Sequence, residues 1–589
     1  MPPRASNPSS RRTGPSPSAP CPRSTTSSAA RPGRWTGRSA RLSSSRCSAS
    51  STSRPPRPPS ITSAFPRAWV LAWKTSSPTP SQAFTCPPTR TSSSRSPEWG
   101  GGRIMRTLIE GGWVVAFNGK SHEVYEQGSV VFEGDRIVHA GGPYAGPADT
   151  RLSARGKLVS PGFINTHVHT TGNAGDYLLL DMAKNDYRTS NYMSFAAPLK
   201  GKMTPPPPEA VAALRTFVFL HALRQGTTTI IDVGGQRGDW EGYVRLIDEL
   251  GVRVYGSPPF RDRNTFSDAQ GRLYYDHDAS VGTQGLKDAV AFIREYDGAA
   301  QGRLRGMLNP SQVETCSEPL LRACKDAARE LDVPVHTHAG GNLVEFQRIM
   351  DEYRKTPIQF LADIGFLDDR ALIGHGVFTT AHAWSHYPFG DDLRVLAERG
   401  ATVGHCPYKY AKMAMTLCSF QRYLDAGVNL AIGTDTFPMD MVAELRWASI
   451  LAKVADANYQ AGQHRDVFNA ATLGGCKFLR RDDLGRLAPG AKADILLINL
   501  DHLGAPVYAD PIKALIDAGS GRDVDTVIVD GKILVQGGRT TRIDEDEVYA
   551  RAREVTERFW SNVPTWRWDG APVDRIIPPA FPIHGAATK

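Results

Sequence analysis

Between residues 161 and 480, short apolar β-branched runs alternate with stretches of helical period, four of those runs end in histidine or aspartate, and antiparallel β-texture lies on either side. These observations predict an α/β fold, a (β/α)8 TIM barrel with a small composite β-sandwich formed by the segments flanking it. In chain order, 105–160 reads Thr-Leu-Ile-Glu, Trp-Val-Val-Ala-Phe and Gly-Ser-Val-Val-Phe-Glu-Gly-Asp-Arg-Ile-Val, alternating runs broken by Asn-Gly or Gly-Asp, as hairpins require. The run into His167 is the first barrel strand, and 228–233, 252–256, 304–308, 333–338, 371–375, 401–405 and 428–433 make eight. Helical stretches at 209–225, 285–296, 318–331, 342–353 and 441–455 are interleaved with them. After about residue 480 the β-texture returns in Ala-Asp-Ile-Leu-Leu-Ile-Asn-Leu and Asp-Thr-Val-Ile-Val-Asp-Gly-Lys-Ile-Leu-Val. The segments 105–160 and 481–540 are therefore expected to share the sandwich, 161–480 to form the barrel, and 541–589 to end the chain as helix and tail.

The 589 residues carry 69 Lys and Arg against 60 Asp and Glu, and the resulting +9 invites a nucleic-acid reading. That reading fails on where the charge lies. Residues 1–104 hold 16 of the basic residues and a single acid, Glu98, which leaves the rest at 53 basic against 59 acidic. This leader is dominated by Ser, Pro and Arg without a sustained hydrophobic period, so it is expected to be disordered. Its prolines and lack of an amphipathic helix do not suit a transit peptide, and no secretory apolar region precedes a cleavage site. Strand-like sequence begins directly at Met105, and Gly100-Gly101-Gly102 just upstream suits the codons of a purine-rich ribosome-binding site, so Met105 is expected to be the native start. Cys316, Cys324, Cys406, Cys418 and Cys476 follow without Cys-x-x-Cys spacing, which fits a reducing cytoplasm. No apolar run approaches the ~20 residues of a membrane-spanning helix, so no membrane partner is expected.

In Val-Ser-Pro-Gly-Phe-Ile-Asn-Thr-His167-Val-His169, two histidines at i and i+2 on a strand share one face and can grip one cation. Val-His336-Thr-His338, Leu-Ile-Gly-His375-Gly and Leu-Ala-Ile-Gly-Thr-Asp435 place further imidazoles and a carboxylate at strand ends, where barrel enzymes keep their active sites. His336 shares a face with His338 one layer deeper, a place for packing and for supporting the site. Cys406 reads as a small buried hydrophobe, and His221, His382 and His386 as surface or core residues without strand-end context. Glu314, Tyr408 and Lys409 are candidates to line a substrate pocket, with packing or solvated roles equally open.

The motif order resembles the amidohydrolase superfamily, in the branch of cytosine, guanine and adenosylhomocysteine deaminases and triazine hydrolases. The resemblance rests on Pro-Gly-Phe-Ile-Asn-Thr-His167-Val-His169, Val-His-Thr-His338, Phe-Leu-Asp-Asp-Arg-Ala-Leu-Ile-Gly-His375-Gly, Val-Gly-His405-Cys-Pro and Ile-Gly-Thr-Asp435. Leu-Gly-Arg-Leu-Ala-Pro-Gly-Ala-Lys-Ala-Asp494-Ile resembles that family's return into its sandwich. It implies that His167, His169, His338 and Asp435 bind one divalent metal, zinc foremost with iron or manganese also accepted. Such a cation lowers the pKa of a bound water toward ~7. Asp435 would also accept the water's proton, and His375 would polarise the substrate. His405 matches the family pattern, as a substrate contact or a loop anchor. Binuclear relatives carry a bridging lysine on the fourth strand; here that strand reads Arg-Leu-Arg-Gly-Met-Leu-Asn309-Pro, which implies a mononuclear centre. Oligomers are common in the family, so a homo-oligomer is compatible with this sequence.

Two departures bear on the substrate. Deaminases of this branch read His-x-x-Glu after the fifth strand, whereas this chain reads His338-Ala-Gly-Gly341. After the fourth strand, a substrate-facing histidine gives way to Asn309-Pro-Ser-Gln-Val-Glu314-Thr-Cys. The leading expectation is hydrolysis of a non-peptide C–N bond, as in an amide, urea or amidine, on a small-molecule substrate. The rival is an aminohydrolase of a heteroaromatic amine such as a nucleobase or triazine, with Glu345 or Glu314 replacing the lost carboxylate. A non-catalytic barrel scaffold is the third, disfavoured because all four ligands are present.

Overall fold

A computed structural model describes residues 105–171, 173–176, 197–234, 238–503 and 509–584, so the leader and its expected disorder lie outside the described residues. The barrel region contributes eight strands: β1 (Phe163–Val168), β2 (Thr227–Asp232), β3 (Arg253–Gly256), β4 (Leu304–Gly306), β5 (Val335–Ala339), β6 (Ala371–His375), β7 (Thr402–His405) and β8 (Asn429–Ile432). They form two four-stranded parallel sheets, in the order β4-β3-β2-β1 and β5-β6-β7-β8. The sheet edges are bonded to each other. The Asp435 N–H donates to the His167 carbonyl (2.8 Å), and the His336 N–H donates to the Leu308 carbonyl (2.9 Å).

Most residues of these strands are buried on both faces, which is why their sequences run apolar without alternation. Helices cover the outside. Trp240–Leu250 is typical: Asp239 caps its first turn by accepting from the Gly242 N–H, and Gly251 ends it at φ 78°, a left-handed conformation that suits glycine. Glu318–Leu331 turns Leu320, Leu321, Cys324 and Ala328 inward at helical spacing.

The flanking segments come together as expected, but in one continuous nine-stranded sheet rather than in the two separately bonded sheets of a sandwich, because Lys157–Pro161 bonds directly to Ile495–Asn499. Lys157–Pro161 pairs antiparallel with Ile495–Asn499, joining Arg106–Phe117, His122–Glu133 and Arg136–Gly141 to Val524–Val529 and Lys532–Gln536. Ile109, Val130 and Phe132 share a small core with Ile495, Leu497 and Ile528. The sheet is fastened to the barrel by a buried ion cluster. Arg253, the first residue of β3, pairs with Asp494 (3.2 Å) and Asp530 (2.8 Å), and Lys492 reaches Asp530 at 3.1 Å.

An antiparallel hairpin, Arg263–Ser267 with Leu273–His277, follows β3 and has no counterpart among the expected elements. Its strands are polar and lack the apolar runs that mark a barrel strand. The expected C-terminal helix is Glu545–Trp566, where Tyr549 accepts from Arg224 on the helix Pro208–Arg224 (2.8 Å). No described helix is long and apolar enough to cross a membrane.

Candidate metal centre

Parallel pairing sets the ends of β1, β5, β6 and β8 side by side, and the side chains at those ends converge. The Nε2 of His169 lies 3.3 Å from that of His167 and 3.1 Å from that of His338. Asp435 Oδ1 is 3.5 Å from His169 Nε2 and 3.9 Å from His167 Nε2. His375 Nε2 lies 3.3 Å from the other oxygen of Asp435, Oδ2.

The tautomers follow from the surrounding bonds. The side-chain amide of Asn309 donates to the Val233 carbonyl, so its Oδ1 is the atom facing His336 Nδ1 at 3.3 Å, and that nitrogen donates. His336 Nε2 is then an acceptor, receives the proton of His167 Nδ1 at 2.9 Å, and leaves His167 Nε2 as a bare lone pair. His338 Nδ1 donates to the Ser311 carbonyl (2.5 Å), which bares its Nε2 as well. Two such lone pairs and the Asp435 carboxylate are directed into one space, and the imidazoles beside them resist protonation. Burial pushes His338 down to about 3 and His167 well below the ordinary histidine range, with the neighbouring imidazoles adding to the effect. Neutral donors and a carboxylate in this arrangement fit a divalent cation.

Close packing makes the arrangement dependent on two glycines. A Cβ on Gly374 would lie 2.8 Å from His167 Cε1 and 3.0 Å from His336 Nε2, and one on Gly433 would lie 2.7 Å from the His167 Cβ. Ile-Gly-His375 and Ile-Gly-Thr-Asp435 therefore carry glycine for the sake of His167. The backbones of His375 (φ 91°) and Asp435 (φ 61°) lie in the left-handed region, a strain on the order of 1–3 kcal/mol each that is typical of functional positions.

Lys409, on the helix Pro407–Lys412 after β7, places Nζ 2.6 Å from Asp435 Oδ2. Burial alone would raise the Asp435 carboxyl, but the Lys409 ammonium together with His169 and His338 outweighs it and holds the group below the ordinary carboxylate value. Tyr410 packs edge-on to His375 (4.9 Å) and donates to the Gly341 carbonyl (2.9 Å). Tyr408 lines a cavity of about 470 Å³ with Asp176, His221, Lys412 and Phe437. His405 ends β7 with its ring 6.1 Å from Phe420 and its carbonyl accepting from the Gly433 N–H (2.9 Å), an anchor between β7 and β8. Glu314 is fully buried without a hydrogen-bond partner, and burial pushes it up to about 7. The sequence reading missed the roles of Asn309 and Ser311 and the buried carboxyl of Asp176, which accepts from the Phe437 N–H at 2.7 Å. Asn309 alone carried a signal, as the polar residue that ends the fourth run.

Known proteins resemble this chain over most of its length. The model of the amidohydrolase family matches residues 158–534. The chain is 28% identical to the 5-methylthioadenosine/S-adenosylhomocysteine deaminase of Halothermothrix orenii over 77% of its own length and 96% of that protein. The fold matches an adenosine deaminase from Xanthomonas campestris solved with bound zinc, at TM-score 0.64 and 25% identity over 77% of this chain and 98% of that one. A triazine hydrolase variant matches equally in fold, with TM-score 0.64 and 22% identity over 77% and 99%. The chain belongs to the amidohydrolase family, and its reaction class is hydrolysis of a carbon–nitrogen bond other than a peptide bond.

Proposed function

We propose that the chain is a mononuclear metal-dependent aminohydrolase that releases the exocyclic amine of an adenosine-type heteroaromatic substrate as ammonia. The site sits at the strand ends of a (β/α)8 barrel (161–480), with the composite sheet of the flanking segments (105–160 and 481–540) at the start of β3 and a C-terminal helix and tail (541–589). Convergence of the bared Nε2 lone pairs of His167 and His338 with His169 and Asp435 carries this reading. These four residues would hold one divalent cation, zinc foremost, through the three Nε2 atoms and Asp435 Oδ1. Once bound, it supplies a water acidic enough to attack at neutral pH.

The chain's own residues do the rest. Asp435 Oδ2, ionised beside Lys409, takes the proton of the attacking water and returns one to the departing amine. His375, kept neutral by burial, faces the reacting carbon and polarises it. Lys409 fixes Asp435, Tyr408 borders the adjoining cavity, Glu314 lies near the substrate side, and His405 acts as an anchor. His169 is the most exposed of the imidazoles, which fits substrate entry from its side.

Of the two chemistries open to the sequence, ring-amine hydrolysis is favoured over that of amides, ureas or amidines by the deaminase names of the relatives. Cys316, Cys324, Cys406, Cys418 and Cys476, all free among the described residues, fit a reducing, cytoplasmic setting. Elemental analysis of the wild type, His338→Ala and Asp435→Ala, together with ammonia release from adenosine, methylthioadenosine and S-adenosylhomocysteine, tests the proposal. About one metal per chain, lost in the variants, with ammonia released by the wild type alone is the expected result. Ammonia-free cleavage confined to amides or ureas would replace the substrate class, and a wild type that takes up no metal when supplied with it would return the scaffold reading.

A further inference from the structure

The loop after β5 carries Gly340-Gly341, and the side chain reaching its backbone is Glu345, in the first turn of the helix Leu343–Tyr353. The Glu345 carboxylate turns back to accept from the Gly340 and Gly341 N–H groups, the second at 3.0 Å. Position 341 is packed against the site, with little room for a side chain of its own. A Cβ there would lie 3.3 Å from His375 Cδ2, 3.3 Å from Tyr410 Oη and 3.5 Å from Glu345 Oε2. Glu345 thus borders the space beside the ring that faces the reacting carbon.

A second carboxylate interacts with the first. Glu314 follows a segment held against β5, where the Val313 N–H donates to the His338 carbonyl (2.9 Å). Neither Glu314 oxygen has a hydrogen-bond partner, although the side chain is fully buried. Arg348, Arg261 and Arg263 favour its charge, and the Tyr275 phenol feels both glutamates. Burial and then the Glu314 charge push Glu345 well above the usual carboxylate range. Two carboxylates buried near each other disfavour double ionisation, so the pair holds a proton more tightly than either group would in water.

We propose that Glu345, coupled to Glu314, is the acid that shuttles a proton to and from the substrate ring in this enzyme, delivered from the helix after β5 rather than from position 341. The inference rests on the aminohydrolase reading. As the water oxygen bonds to the ring carbon, its proton passes to Asp435. The C=N electron pair moves to the ring nitrogen, which takes the proton of Glu345. Asp435 then protonates the amine, the carbon–amine bond breaks with its electron pair on nitrogen, and ammonia departs. The hydroxyl of the adduct returns its proton to Glu345 as the carbonyl forms. Both carboxyl groups end as they began.

The test compares Glu345→Gln, Glu345→Ala and Glu314→Gln in the full chain with adenosine and methylthioadenosine as probes, following kcat, KM, metal content and melting temperature. The expected result for Glu345→Gln is a kcat about 10²- to 10⁴-fold lower, with KM, metal content and melting temperature near the wild type. Glu314→Gln should lower kcat by about tenfold through the lost coupling, and added formate should restore part of the activity of Glu345→Ala. A Glu345→Gln enzyme within threefold of the wild-type kcat overturns the proposal. So does one whose activity, metal content and melting temperature fall together without formate rescue of the Ala variant, since the carboxylate is then only a clamp on Gly340-Gly341. A wild type that releases no ammonia from either probe overturns the aminohydrolase reading, and this inference with it, before any variant is compared.

Discussion

At the start of β3, the Arg253 guanidinium lies between Asp494 and Asp530, with Lys492 closing on Asp530. At the ends of β1, β5 and β8, the imidazoles of His167, His169 and His338 face one another and Asp435. Arg253 and Asp494 in the first, and His167, His338 and Asp435 in the second, are buried and have lost the solvation of water. The first is answered from within the chain, charge for charge. The second carries lone pairs aimed at lone pairs, and only a ligand from outside completes it. Burial cost is tolerated at one end to fasten two parts of the fold and at the other in an arrangement that fits a divalent cation.

Exchanging the perturbation between the two ends gives the largest contrast. His338→Gln removes a candidate ligand while leaving the barrel packed and the buried Lys409–Asp435 pair intact. It should lower kcat/KM on the order of 10⁴-fold, the several kcal/mol a bound metal contributes to a transition state, with little change in melting temperature of the metal-free protein. Arg253→Met should do the reverse. It leaves Asp494 and Asp530 buried without their cation and costs about 3–5 kcal/mol of stability, while the folded fraction keeps its turnover per bound metal. Denaturant unfolding paired with turnover measures both. Equal losses of stability in the two variants would erase the distinction.

A finer probe acts one residue behind the ligands. Asn309 orients His336, and His336 takes the proton of His167 Nδ1, so His336→Phe leaves the His167 tautomer unfixed without removing a ligand. Zinc affinity should fall about 10- to 100-fold, read by competition with a chromogenic chelator. Unchanged affinity would mean that the tautomer is set elsewhere.

The two ends also differed in how far the sequence disclosed them. The strand-end residues were legible because each histidine or aspartate interrupts an apolar run, and a strand buried on both faces has no other reason to end that way. Ala371–His375 and Glu318–Leu331 fall where periodicity placed them, since a glycine or charged turn bounds each. The Arg253 cluster was not legible. Its partners come from the returning segment far along the chain, and only the pairing of Lys157–Pro161 with Ile495–Asn499 brings Asp494 beneath β3. Lys409 was read as a pocket residue, because nothing in Pro407-Tyr408-Lys409 announces that its ammonium turns onto Asp435. The hairpin Arg263–Ser267 with Leu273–His277 escaped because pairing, not burial, holds polar strands together.

His122 provides the smallest and most local test, because it is neutral where the other buried groups are paired or waiting for a ligand. Its ring packs between Phe117 (5.6 Å) and Phe468 (5.4 Å), and Nε2 meets Thr472 Oγ1 at 3.2 Å. Nδ1 has no partner. Burial, with Arg486 adding to it, pushes the imidazole down to about 4, so the folded chain resists a proton that the unfolded chain accepts near the ordinary histidine value. This contribution to stability is therefore complete above about pH 6.5 and is lost as the pH falls toward 4. Within that window the loss is roughly 1 kcal/mol per pH unit. His221 and His405 are depressed by burial in the same direction, so the slope of the wild type alone does not isolate His122. The difference between wild type and His122→Phe does: the variant's stability should fall less steeply between pH 6.5 and 5.5. Parallel slopes would mean that the folded chain accommodates the protonated ring at this junction, and that the sheet side of the molecule is less closed to new charge than the Arg253 cluster implies.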